Sequence, residues 1–257
     1  MIVKCAAAAA ALAIAASTAR AQLPCPGNAD ALGTVRVLRV DAATPPRLGR
    51  KQFPQTLPLA PREVVLTFDD GPRDVTTARV LDALAHECVH ASFFLIGRNT
   101  LAQAALARRI LNEGHTVAHH SFSHPLLARI APSAAKADID RGFATVDEAL
   151  YGRAEHAPTT PFFRFPGFAS SPLLLEWLEQ RGITVFGADL WVDDWNPISP
   201  QQELALALGR IEANQGGIVL LHDTKARTAA MLPALLRALK VRGYRVVHVV
   251  SPTQDVK

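Results

Sequence analysis

From Glu63 to the C-terminus, short apolar runs alternate with amphipathic stretches, a pattern that leaves few folds open. Runs of strand length, rich in β-branched and aromatic residues, fall at 63–68, 91–96, 115–119, 161–165, 183–188, 217–221 and 244–249. Helical periodicity fills about 75–87, 98–113, 133–151, 171–181, 200–213 and 228–241, several of these closing on a glycine such as Gly114, Gly182 or Gly243. Strand, helix and strand in succession imply parallel strands joined by crossover helices, and seven or eight such units closing on themselves make an α/β barrel. In such folds chemistry gathers at the carboxyl ends of the strands, so the residues just after each apolar run come first.

The segment before Glu63 reads differently. Residues 22–62 carry Pro24, Pro26, Pro45, Pro46, Pro54, Pro58 and Pro61 and one alternating run, 34–40, so they are predicted to form a Pro-rich arm lying on a domain that spans 63–257. Residues 1–21 have a signal-peptide pattern: Lys4, an Ala-rich run from Cys5 to Ala16, and Ala19-Arg20-Ala21 as the small-x-small cleavage site. The run is too short and too Ala-rich to span a bilayer, so export to the periplasm or medium is expected, with no integral membrane segment after cleavage. Cleavage removes Lys4 and Arg20 and no acid, lowering the formal charge from +4 to +2, 25 basic residues against 23 acidic. With no basic run or aromatic-interleaved patch, a nucleic-acid partner is not expected. Export leaves Cys25 and Cys88, which either bridge the arm to the domain or are buried as two separate thiols. A monomer is expected.

The chemistry-bearing residues do fall after the strands. Thr67-Phe68-Asp69-Asp70-Gly71-Pro72 ends the first strand of the alternation with two adjacent carboxylates. By itself Asp-Asp-Gly-Pro is an Asx-type turn; two like charges side by side, however, call for a positive partner, and a metal ion is one. After the third strand come His120 and His124, four residues apart, which on a helical turn share one face and with Asp70 make a two-His, one-carboxylate set suited to Zn²⁺. His119 is expected either as a wall residue or as a support behind the ligands. Arg164, set among Phe162, Phe163 and Phe165, needs a carboxylate partner. The stretch Asp189 to Trp195 offers acids for that pairing and two indoles, Trp191 and Trp195, on which sugar rings could stack unless they are core. The sixth strand ends in His222-Asp223, where an Asp neighbour can fix the tautomer of a proton-donating His. There is no Gly-x-Ser-x-Gly elbow, Gly-rich phosphate loop or His-Glu-x-x-His.

In order along the chain, Thr67 to Pro72, His120-Ser121-Phe122-Ser123-His124, Arg164-Phe165-Pro166, Asp189 to Trp195 and Leu220-Leu221-His222 resemble the five motif stretches of the polysaccharide deacetylases, also called carbohydrate esterase family 4 or the NodB homology domain. The resemblance covers about residues 63–250. It implies a distorted (β/α)7 barrel, related to the TIM barrel, and one divalent metal held by Asp70, His120 and His124, with Zn²⁺ expected first and Co²⁺ or Ni²⁺ as alternatives. It further implies Asp69 as general base, Arg164 orienting it, His222 as general acid, and Leu220 lining the acetyl pocket, with Pro166, Phe168, Trp191 and Trp195 as substrate-binding wall. Asp189 is assigned as the partner of Arg164 because it lies nearest the strand end, with Asp194 as its rival. Two departures stand out. The family's Arg-Pro-Pro run is broken here by Phe165 and Gly167, and its Asp-x-x-Asp-Trp spacing is lengthened to Asp189, Asp193 and Asp194-Trp195. The implied activity is N-deacetylation of an N-acetylglucosamine-containing glycan such as peptidoglycan, poly-N-acetylglucosamine or a chitin-like oligomer. De-O-acetylation, as of acetylxylan, and silent glycan binding are the alternatives.

Overall fold

The first strand of the alternation, β3 (Glu63–Asp69), is buried at every position, as a parallel strand covered on both faces must be. It sits in the computed structural model, which describes residues 25–41, 44, 46–155, 157–252 and 254; the expected signal peptide lies outside them. β3 pairs on one side with β4 (Ser92–Leu95), followed by β5 (Thr116–His119), β6 (Phe162–Phe163) and β7 (Thr184–Phe186). On its other side it pairs with β9 (Gly216–His222), which carries β8 (Leu190–Trp191). All of these pairings are parallel. The gap between β7 and β8 is spanned by 187–189, where Asp189 N–H donates to the Ile218 carbonyl. The result is the distorted (β/α)7 barrel.

Alternation sorts the side chains into two layers. Val65, Phe94, Ala118, Phe162, Phe186 and Ile218 share an inner cluster. Leu66, Phe68, Phe93, Val117, Val219 and Leu221 belong to the outer cluster beneath the helices. The helices are α1 (Thr76–His86), α2 (Gly97–Ala102), α3 (Ala104–Asn112), α4 (Pro132–Tyr151), α5 (Pro172–Glu179), α6 (Pro200–Ala213) and α7 (Ala226–Val241). α1 shows why they dock: Thr77, Val80, Leu81 and Leu84 recur at three- and four-residue steps and are the buried ones. α6 starts on a capping box, Ser199 with Gln202, behind Pro200. The single helix expected over 98–113 is two, because Gln103 (φ −129°, ψ 43°) leaves the helical region.

The arm enters the sheet instead of merely lying on it. β1 (Thr34–Arg39) pairs in parallel with β10 (Arg245–Val250), and β2 (Arg47–Leu48) with β7. The reason is the unpaired edge that β7 and β10 would otherwise expose. Cys25 and Cys88 form a disulfide that ties the start of this segment to the loop after α1.

Candidate active site

The loop after β3 places Asp69 and Asp70 on different tasks. Asp69 is buried and its Oδ1 accepts from Arg164 Nη1 at 2.6 Å. Asp70 turns out of the strand at φ +76°, a left-handed conformation that Asp tolerates. Its Oδ1 lies 3.1 Å from His124 Nε2 and 3.6 Å from His120 Nε2. Glycine is required next: a Cβ on Gly71 would lie 2.1 Å from Asp223 Oδ2.

His120 and His124 do not share a helical turn. They come together because the 120–125 segment is irregular, with Ser121 and His124 both at positive φ. The loop is pinned by Asp138 of α4, whose Oδ1 accepts from the Phe122 and Ser123 N–H groups at 3.0 and 3.1 Å while Ser123 Oγ donates to Oδ2 at 2.5 Å. The strain at Ser121 and His124, of order 1–3 kcal/mol per such residue, is held in place by that anchor. His119 faces the other way, edge-on to Phe143 behind the barrel, and lines no part of the site.

Three observations show that the Asp70, His120 and His124 set fits a cation. Their ligand atoms lie within 4.8 Å of one another. Asp70 Oδ1 is buried and makes no well-aligned hydrogen bond, although two imidazole nitrogens approach it. His120 Nδ1 lies 2.7 Å from the Arg164 carbonyl, which can only accept; the ring proton is therefore on Nδ1 and the Nε2 lone pair faces Asp70. Burial also pushes the His120 imidazole toward its neutral, ligating form, against the charges of Asp69 and Asp70. For Asp70 burial opposes ionisation, but His124, His120 and His222 outweigh it and hold the carboxyl well below the ordinary range.

Arg164 is fully buried and holds Asp69, as the resemblance implies, but not the Asp189 assigned to it. The carboxylate it pairs with is Asp69, and Thr67 Oγ1 and the Phe186 and Gly187 carbonyls accept three more of its N–H groups. Its guanidinium lies over the Phe94 ring, 4.1 Å from the centroid. Neither Asp189 nor Asp194 reaches it. Asp189 clasps the barrel shut: Oδ2 accepts from Ile218 N–H and Thr56 Oγ1, and Oδ1 from Arg50 N–H. The assignment failed because proximity to a strand end does not say which way a carboxylate turns, and Asp189 turns to the unpaired amides of β9 and the arm.

Asp194 instead serves His222. Its Oδ1 accepts from His222 Nδ1 and its Oδ2 from His222 N–H, both at 2.7 Å. The adjacent Asp223, expected to do this, is turned under the β3 loop and accepts from Thr77 Oγ1. Burial opposes the His222 charge, but Asp194, with Asp69 and Asp70, raises its pKa to about 9. His222 Nε2 stands 4.0 Å from Asp70 Oδ2.

Along the rim the rings of Phe168, Trp191, Trp195 and His222 follow one another with centroids 6.0 to 6.1 Å apart. Trp195 is 46% exposed and Trp191 half-buried. Pro166 is buried in the turn carrying Phe168, and Leu220 is buried on the same strand face as His222. Asp138, and Asp194 as partner of His222, were not anticipated. Asp194 carried a usable signal, since it follows a strand at the catalytic end; Asp138, mid-helix among polar residues, carried none.

A family model described as Polysaccharide deacetylase matches residues 57–186, about half of the 257. The chain is 31% identical over 192 residues to the peptidoglycan-N-acetylglucosamine deacetylase PgdA of Listeria monocytogenes, covering 73% of this chain but 38% of that one. To the chitooligosaccharide deacetylase of Bradyrhizobium it is 31% identical over 205 residues, covering 72% and 88%. The Bdellovibrio bacteriovorus peptidoglycan deacetylase Bd3279 superposes with a TM-score of 0.74 at 30% identity, covering 84% of this chain and 59% of that one. The chain thus spans well under half of PgdA and more than half of Bd3279. With the family's motif positions converging at one end of its barrel, the chain belongs to the polysaccharide deacetylase family.

Proposed function

We propose that this protein is an exported, metal-dependent hydrolase that removes N-acetyl groups from an N-acetylglucosamine-containing glycan, whether peptidoglycan, poly-N-acetylglucosamine or a chitin-like oligomer. One observation carries the reading: Asp70 has the two imidazoles of a ligand set on one side and His222, held by Asp194, 4.0 Å away on the other. The N-deacetylase names of the relatives support it. A divalent cation, Zn²⁺ first given the His and carboxylate donors, would be held by Asp70, His120 and His124 and supply Lewis acidity toward a carbonyl and a nearby water.

The residues perform the rest. Arg164 occupies Asp69 Oδ1, which leaves Oδ2, 3.8 Å from His120 Nε2, to take the proton of the attacking water. As the tetrahedral centre collapses, His222 gives its Nε2 proton to the leaving nitrogen. Amide cleavage requires that proton, because an unprotonated amine anion is too basic to depart. Asp194 keeps the other ring proton on Nδ1 and so presents the donor nitrogen to the site. The Phe168, Trp191 and Trp195 rings form the sugar platform, with Leu220 against the acetyl methyl.

The test is acetate release from N-acetylglucosamine oligomers and from peptidoglycan, beside metal analysis, for wild type, Asp70→Asn and His222→Ala. Wild type should release acetate, Asp70→Asn should lose metal and activity together, and His222→Ala should lose about 10²-fold or more. Bound metal without acetate from any of these glycans would sink the reading in favour of a binding protein.

A further inference from the structure

Behind His222 the hydrogen bonding continues past Asp194. The Thr228 hydroxyl, fully buried on α7, lies 3.0 Å from Asp194 Oδ2 and 2.8 Å from Glu203 Oε1 on α6. Glu203 is also fully buried, and its Oε2 has no partner. A hydroxyl owns one proton and can donate to only one of two carboxyl groups. If both acids were ionised, one carboxylate would face the lone pairs of Thr228 without its proton. Asp194 already takes two N–H groups from His222, one of them the ring proton that orients the imidazole, so it is the ionised member. A proton on Glu203 lets both contacts of Thr228 be hydrogen bonds.

We infer that Glu203 is a positioning residue for the proton donor: as a neutral carboxylic acid it donates to Thr228 Oγ1, which turns the Thr228 hydroxyl proton onto Asp194 and steadies the carboxylate that orients His222. The order is Glu203 Oε1–H to Thr228 Oγ1, Thr228 O–H to Asp194 Oδ2, and His222 Nδ1–H to Asp194 Oδ1, with no proton leaving the chain during turnover. The surroundings agree. Burial first, and the charge of Asp194, push the Glu203 carboxyl up to about 7, against Thr228, Arg227 and His222. Those are the groups that face it: Asp194 from the loop after β8, Arg227 and Thr228 from α7, and His222 from β9. When Glu203 ionises, Thr228 is drawn toward it and Asp194 loses a donor. This inference rests on His222 being the proton donor of the proposed reaction.

The test uses the full chain carrying Glu203→Gln, Glu203→Leu or Thr228→Val. In the metal-free resting protein, the His222 Nδ1–H proton resonance is followed by NMR from pH 5 to 9. Wild type should show a shift as Glu203 titrates; Glu203→Gln should lose that part of it and keep only what Asp223 and His222 itself contribute, and Glu203→Leu and Thr228→Val should be displaced throughout. Acetate release from N-acetylglucosamine oligomers should fall about tenfold in kcat, with KM unchanged, for Glu203→Leu and Thr228→Val, about the worth of one hydrogen bond to a charged group. Glu203→Gln, which keeps a donor toward Thr228, should restore what Glu203→Leu loses. The inference is overturned if Glu203→Leu matches wild type in resonance and pH profile, or if Glu203→Gln is as impaired as Glu203→Leu. Thr228→Val, close to Thr in volume, decides the matter should Glu203→Leu not fold. Should wild type release no acetate, the functional reading fails while the NMR comparison still decides this one.

Discussion

Arg164 Nη1 lies 2.6 Å from Asp69 Oδ1, and the carbonyl oxygen of the same Arg164 takes the Nδ1 proton of His120 at 2.7 Å. One residue thus fixes both the proposed base and the tautomer of the imidazole proposed as a metal ligand. A displacement of β6 would disturb the two together.

Replacing Arg164 should therefore cost more than an ordinary charge deletion. Arg164→Met leaves Asp69 buried without its charge partner, a loss of about 3–5 kcal/mol. Arg164→Lys should not restore activity, because a point charge cannot serve Asp69, Thr67 and the Phe186 and Gly187 carbonyls at once. Urea unfolding gives the first number and acetate release the second.

Cation removal should act through the three ligands alone. Adding Zn²⁺ to the stripped protein should raise its thermal midpoint, by the equivalent of about 2.7 kcal/mol when free metal is 100-fold above Kd. Asp70→Asn and His124→Ala should abolish the rise. An undiminished rise in Asp70→Asn would place the ion elsewhere.

The contribution of Glu203 to stability should run downward from weakly acid to neutral, opposite to that of the buried neutral histidines His115, His119 and His248, whose pKa values burial lowers. The Glu203 carboxyl stands near 4.5 when unfolded and about 7 when folded, so between those values the native state holds the extra proton and loses stability as pH rises. Asp223, raised from 3.8 to about 7 chiefly by burial, adds in the same direction. Glu203→Gln should match wild type near pH 4.5 and exceed it at pH 8 by up to about 3 kcal/mol, read from denaturant midpoints at the two pH values. A difference between Glu203→Gln and wild type that is the same at both pH values would contradict this.

The disulfide should carry much of the arm's attachment. Cys25 and Cys88 are 63 residues apart, and closing a loop of that size removes about 4 kcal/mol of unfolded-state entropy. Replacing both with Ser should lower the thermal midpoint accordingly, while acetate release at 25 °C persists because neither cysteine belongs to the site.

The main strand and helix alternation, the strand ends bearing chemistry, and the identity of Asp70, His120 and His124 as candidate ligands were legible in the sequence, whereas the two-residue strand β8 and the break at Gln103 were not. Periodicity and adjacency are local, and a β/α alternation leaves its loops at one end of the sheet whatever their details. The arm's strands were less legible, since β2 is two residues long and exists only by pairing with β7. Carboxylate pairing was decided by tertiary structure alone. Asp189, Asp194 and Asp223 are chemically identical and close in sequence to the same site, yet one clasps the barrel, one holds His222 and one lies beneath Gly71. Hydrogen bonds form over about 3 Å with directional preference, so a side chain's partner depends on where the folded backbone aims it, and residues 28 or 34 positions away become neighbours only when the barrel closes.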